Sequence, residues 1–555
     1  MTDPNGPNQT GPHPYTSQEP NQGPYPNPPA PAAAAPQQYW QPAPAGSWQQ
    51  TEQAPVYQQP YPAEHPAQPP SGAARTSTRR KVLTAAGAGV PVLGAAAYLA
   101  SRLGSHPASV TAGGSGYEPG DYNPSSLPSA AGAVNGISTS MVQSMLSKAN
   151  KALASKEPDG YVSLFTGTPA KQAPITFANL MKFDFSFAQF QLIDSVTRQF
   201  DTGDGASMQI DVAFTHQLSG VDAGQVAEWY RWTVTRDGSG SPVVSKVTGS
   251  PSISGSLKYT YYPMPWDSPT DIEVAKQGST VVCAEAPHAA SVKQFLSTIA
   301  TAVADNRHEW ASGGGSMAGV APGALIMLGP ADQLYYWFSG AANKAGYEAG
   351  LTTPVINPAW LPENTDAQYR FTAARIALNL DTEFFTVNAG SNSVRSLAKH
   401  EDTHNFMFTL ETVAEDTIPL WVVEGLADFM ASHDFPNAVQ AYFRDDNIRA
   451  YAAGYQGNRW DGSIPNNDEV YSSNNLVGSA SYGLATMIFY YVHSRWGMAG
   501  VVKLASANYR AAAASDGSQG RDDVGGAIQS ALGVSQDELT SGWLGFLKAQ
   551  LGVSA

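Results

Sequence analysis

The sequence predicts an α+β protein in which a small curved antiparallel sheet is followed by a larger mixed sheet and then by helices. Three observations carry this. From residue 182 to 249, "KFDFSFAQFQL", "SMQIDVAFTHQL", "EWYRWTVT" and "SPVVSKVTG" alternate apolar and polar residues in long strand-like runs. From about 270 to 380, shorter apolar strands are interrupted by helical patterns. Beyond 394 the periodicity is helical almost to the C-terminus. Runs of strands followed by mixed strands and helices define an α+β arrangement.

Residues 1–78 are rich in Pro, Gln, Ala, Tyr and Asn, as in "YPNPPAPAAAAPQQYWQPAP". Such a segment buries too little apolar surface to offset its ordering entropy, so the expectation is a disordered tail. Residues 79–103 contain nineteen uncharged residues, Val82 to Ala100, about the length needed to cross a bilayer core. Arg75, Arg79, Arg80 and Lys81 precede them and only Arg102 follows closely. The positive-inside asymmetry predicts a single-pass transmembrane anchor, with the tail cytoplasmic and the bulk of the chain extracellular. "TRRKVL" also resembles a twin-arginine export signal, which would leave the chain secreted after cleavage. Residues 104–138 are largely Gly, Ser, Ala and Pro and read as a flexible linker.

Residues 139–255 open with "SMVQSMLSKANKALASKE", which places Val142, Met145, Leu146, Ala149, Ala152 and Leu153 on one helical face. "DGYVSLF" and the long strands follow, with Phe183, Phe185 and Phe187 on one side and a turn at Asp237-Gly238. This order resembles the nuclear-transport-factor-like cone fold, which implies a curved sheet over a helix. His216 lies within a strand and reads as structural. The domain holds no catalytically spaced cluster of His, Asp and Glu, and reads as a spacer or recognition module.

Net charge is −15 and the pI about 5.1. With no basic stripe to neutralise phosphates, nucleic acid is excluded as a partner. The one cysteine, Cys283 in "STVVCAEA", allows no internal disulfide and reads as a small buried hydrophobe.

Residues 256–555 carry the chemistry. "TDIEVAK", "STVVCAEA", "GALIMLG" and "RFTAARIALNL" read as strands and "SVKQFLSTIATAVADNRHEW" as a helix. "SVRSLAKHEDTHNFMF" then forms a helix in which His400 and His404, four apart, stack on one face. Two imidazoles at that spacing can share one zinc ion, and Glu401 beside them is placed to take a proton from water activated there. A catalytic zinc needs a third protein ligand. Glu424 in "IPLWVVEGLADFMAS" supplies it twenty residues after His404. Asp428, one turn further, can hold the outer nitrogen of a ligating histidine.

HEDTH followed by EGLAD resembles the gluzincin metallopeptidases, and "WVVEGLADF" is similar to their aminopeptidase-like branch. The resemblance spans about residues 256–555 and implies a zincin-like domain, peptide or protein substrates and hydrolysis of peptide bonds. It also implies a tyrosine on a later helix that stabilises the oxyanion. Tyr482 in "SASYGLATMIFYYVHSRWG" fits that place, with Tyr490, Tyr491 and His493 competing. The G-x-M-E-N segment that captures a substrate amino terminus has no counterpart in "RIALNLDTEFFTVNAG", which favours an internal cut or another kind of substrate over aminopeptidase activity. The contrasting expectation is a cell-envelope binding or scaffold protein with a structural or vestigial zinc site. The remaining sequence, to "SQDELTSGWLGFLKAQL", reads as amphipathic helices, the last capped by Ser535 and Glu538.

Overall fold

The computed structural model describes residues 136–192, 200–201, 207–250, 261–339, 349–356, 371–386, 393–410, 418–472, 474–514 and 524–551. The tail 1–78, the segment 79–103 and the linker up to 135 lie outside these residues. Helices α1 (Thr139–Ser155), α2 (Asp159–Val162) and α3 (Gly167–Leu180) precede the first sheet. Its strands are β1 (Phe185–Leu192), β2 (Phe200–Asp201), β3 (Ser207–Leu218), β4 (Val226–Arg236) and β5 (Pro242–Gly249). They run antiparallel in the order β1-β3-β4-β5, and the two-residue β2 pairs β3. The buried face of α1 is Val142, Met145, Leu146, Ala149, Ala152 and Leu153, as the helical period predicts. The aromatic row differs. Phe183 is buried and Phe185 packs on the same core, but a bulge between Phe185 and Phe187 resets the alternation, so that Phe190 and Leu192 turn inward in place of Phe187.

The second sheet joins β6 (Ile272–Gln277), β7 (Thr280–Glu285), β8 (Ala324–Gly329), β9 (Gly350–Ile356) and β10 (Phe371–Asn379) in the order β6-β7-β8-β10-β9. Strands β7, β8 and β10 are parallel, and β6 and β9 close the ends antiparallel. The parallel step from β7 to β8 requires a long crossover, which is helix α4 (Ala289–Ser312). Two short helices follow, α5 (Ala331–Ser339) and α6 (Glu383–Thr386), before α7 (Val394–Phe408). All of β8 is buried because both faces of this sheet are covered. Leu325 and Met327 join the core of the first sheet. Ile326 and Leu328 face Val292, Ile299 and Val303 of α4 and Leu397 and Ala398 of α7.

The C-terminal helices α8 (Leu420–Ser432), α9 (Ala438–Arg444), α10 (Asp446–Ala453), α11 (Asn467–Val470), α12 (Asn475–Ala514), α13 (Val524–Leu532) and α14 (Gln536–Leu551) build a further core. The sequence predicts two helices where α12 runs. The break between them survives as Gly497, at φ 66° and ψ −171°, backbone angles open to glycine. Ser535 and Glu538 exchange the predicted capping-box hydrogen bonds at the start of α14.

The first sheet and the second share one apolar core, and a buried ion pair crosses between them. Arg375 of β10 donates to both oxygens of Asp222, at 2.7 and 3.0 Å, and both side chains are fully buried. The Nδ1–H of His216 donates to the Phe214 carbonyl, so its Nε2 accepts from Arg375 at 3.2 Å. Burial, and then the Arg375 charge, hold the His216 pKa well below the usual histidine range. Replacing Asp222 with Ala strands a buried guanidinium. Chemical denaturation of that variant is expected to show a loss of roughly 3–5 kcal/mol; a loss below 1 kcal/mol would show that Arg375 finds other partners.

The single-pass topology predicted from 82–100, with its extracellular catalytic part, is corrected here. No helix among the described residues is long and apolar enough to cross a membrane. The apolar helix α8 has only 13 residues against the roughly 20 a span requires. The longer α12 carries Arg495, Lys503 and Arg510. Residues 82–100 themselves lie outside the described set.

Candidate metal centre

Helix α7 is not a solvated polar face: 13 of its 15 residues are buried, including Lys399, His400, Glu401, Asp402 and His404. Each charged member that points away from the histidines is paired. Lys399 Nζ lies 3.0 Å from Glu309 of α4. Asp402 accepts from Arg307 at 2.5 Å and from Asn306 and Asn405. These bonds tie α7 to α4 and set its rotation. Helix α8 is buried at every position from Leu420 to Ala431, as its nearly all-apolar sequence dictates. Gly425 lets it close on α12, since a Cβ there would sit 2.7 Å from the Ala485 backbone.

The packing of α8 on α7 brings His400, His404 and Glu424 together, the one metal-capable group among the described residues. The two Nε2 atoms are 3.1 Å apart, and Glu424 Oε2 lies 3.7 Å from His400 Nε2 and 3.6 Å from His404 Nε2. The point equidistant from these three atoms is about 2.0 Å from each, the length of a zinc–nitrogen or zinc–oxygen bond. The Nδ1–H of His400 donates to Asp428 Oδ1 at 2.8 Å, so its Nε2 presents a lone pair to that point. Burial works to lower the His400 pKa, but Asp428, Glu401 and Glu424 outweigh it and raise it to about 9. The site draws positive charge.

The charge balance says the same. Glu401, Glu424 and Asp428 are buried, and among the described residues none is paired with Lys or Arg. Burying carboxylates is costly unless a cation accompanies them. Glu424 Oε2 and Glu401 Oε1 also lack any close protein hydrogen bond, and both carboxylates feel the charge of His400 and His404. The donor set, its spacing and its excess negative charge fit zinc.

Glu401 Oε2 accepts from Thr352 Oγ1 at 2.6 Å, which leaves Oε1 free. Burial raises the Glu401 pKa despite the neighbouring imidazoles and Thr352. Gly350 completes the seat, because a Cβ there would stand 2.4 Å from Oε1. Burial also works to raise the Glu424 pKa, but His404, His400 and the Tyr471 hydroxyl bring it below the usual range. Tyr471 donates to Glu424 Oε1 at 2.6 Å. The Tyr482 hydroxyl is buried beside Glu424 and the Tyr471 hydroxyl, without a well-formed hydrogen bond to either. Burial, and then the Glu424 charge, push its pKa well up. The competing groups point elsewhere: Tyr490 bonds Ser432, Tyr491 Oη abuts Gly542, and His493 packs on Phe429.

All six residues singled out in the sequence, His400, Glu401, His404, Glu424, Asp428 and Tyr482, thus converge. Thr352, Gly350 and Tyr471 carry no sequence signal of their own, since β9 and the turn after α11 belong to no motif. No protein-family model and no curated protein matches this chain. Asp428→Asn is expected to keep the fold and weaken zinc binding about 10–100-fold in a chelator competition; unchanged affinity would remove Asp428 from the site.

Proposed function

We propose that this chain is a zinc-dependent metallopeptidase of gluzincin type, with a zincin-like domain over residues 256–555. The observation that carries this reading is the triangle of His400 Nε2, His404 Nε2 and Glu424 Oε2, with the buried Glu401 carboxyl in electrostatic reach of both histidines. Zinc bound there would polarise the scissile carbonyl and lower the pKa of water towards 7. Glu401, fixed through Oε2 by Thr352, takes the proton on Oε1 and passes it to the leaving amine. Tyr482 supplies a neutral hydroxyl to the developing oxyanion. Asp428 holds His400 in the ligating tautomer.

A structural zinc site is closed by four protein ligands, whereas this group has three members, which favours catalysis over a scaffold role. Strand β9, which reads "GLTTPVI", flanks Glu401. Zinc analysis of the purified protein tests the reading. One zinc per chain, and peptidase activity abolished by a chelator and restored by zinc, are expected. Neither zinc nor activity would sustain the scaffold reading instead.

A further inference from the structure

We infer that Tyr471 is a positioning residue that confines Glu424 to one coordinating oxygen, an inference that rests on the metal-site reading above. The two oxygens of Glu424 have different surroundings. Oε1 accepts the Tyr471 hydroxyl at 2.6 Å. Oε2 has no protein hydrogen bond and stands nearly equidistant from the two histidine Nε2 atoms, at 3.6 and 3.7 Å. The phenol occupies one lone pair of Oε1 and orients the carboxylate so that Oε2 is the oxygen turned to the histidine nitrogens.

The phenol is itself held in place. Asn466 and Glu469 form a capping box that fixes α11. Asn467 Oδ1 accepts the Leu420 N–H at the start of α8, the helix that carries Glu424. Tyr471 follows α11 directly, so this bond registers the donor against its acceptor. Its ring also packs beside Tyr482, with centroids 6.3 Å apart. The protein then contributes three ligand atoms, and the remaining positions stay open for water and substrate, as catalytic zinc requires.

The test uses the full chain loaded with cobalt(II), which absorbs strongly in the visible when four-coordinate and weakly when five- or six-coordinate. Wild type is expected to bind one cobalt with strong absorption. Tyr471→Phe, checked for folding by circular dichroism, should bind one cobalt about 10–100-fold more weakly and with a fainter spectrum at saturation. If that variant keeps the wild-type affinity and spectrum, the role of Tyr471 is wrong and the site stands. If wild type binds no cobalt, or binding persists in His404→Ala, the metal site itself is wrong. Should Tyr471→Phe fail to fold, X-ray absorption of the zinc-loaded wild type decides. Four nitrogen or oxygen neighbours at about 2.0 Å are expected, and an additional, longer carboxylate oxygen would overturn the inference.

Discussion

Glu401→Gln is expected to keep its zinc and lose about 10²–10⁴-fold in turnover, the range for removing a general base. The substitution is nearly isosteric, and the amide oxygen can still accept from Thr352 Oγ1 at the 2.6 Å position. His400, His404 and Glu424 are not touched. What disappears is the basic oxygen Oε1, which has no close protein hydrogen-bond partner. Zinc content by elemental analysis and turnover on one peptide should therefore separate. Equal loss of both would assign Glu401 to metal retention, and full activity would exclude it as the base.

His404→Ala is expected to lose zinc. One of three ligand atoms is removed, and Glu401, Glu424 and Asp428 remain buried with His400 as their one facing imidazole. Zinc affinity should fall by more than about 100-fold, beyond what a supporting partner such as Asp428 is worth. The same change appears in thermal stability. A ligand held at about 1,000 times its Kd stabilises the native state by about 4 kcal/mol, so zinc should raise the wild-type melting temperature. It should leave that of His404→Ala unchanged. A variant that is still stabilised by zinc would place the metal elsewhere.

The parts of this site that were legible in the sequence are those encoded within one helix. His400 and His404, and Glu424 and Asp428, are four apart and share a face by helical geometry alone. The same period marked the buried face of α1. The parts that were hidden depend on tertiary approach. Thr352 reaches Glu401 across 49 residues of sequence and Tyr471 reaches Glu424 across 47. Helix α3 escaped notice because it contains Pro174. The β1 bulge was invisible because an inserted residue shifts alternation without leaving a compositional trace. His216 could be read as structural, but its partner Arg375 is 159 residues away and has no local signature.

The most direct test of zinc-dependent peptide hydrolysis is a cleavage profile of proteome-derived peptides by the zinc-loaded full chain, read by mass spectrometry. New termini at internal positions are expected, absent after chelation, recovered with zinc and nearly absent with Glu401→Gln. Termini that persist in chelator, or that Glu401→Gln produces at the wild-type rate, would contradict it.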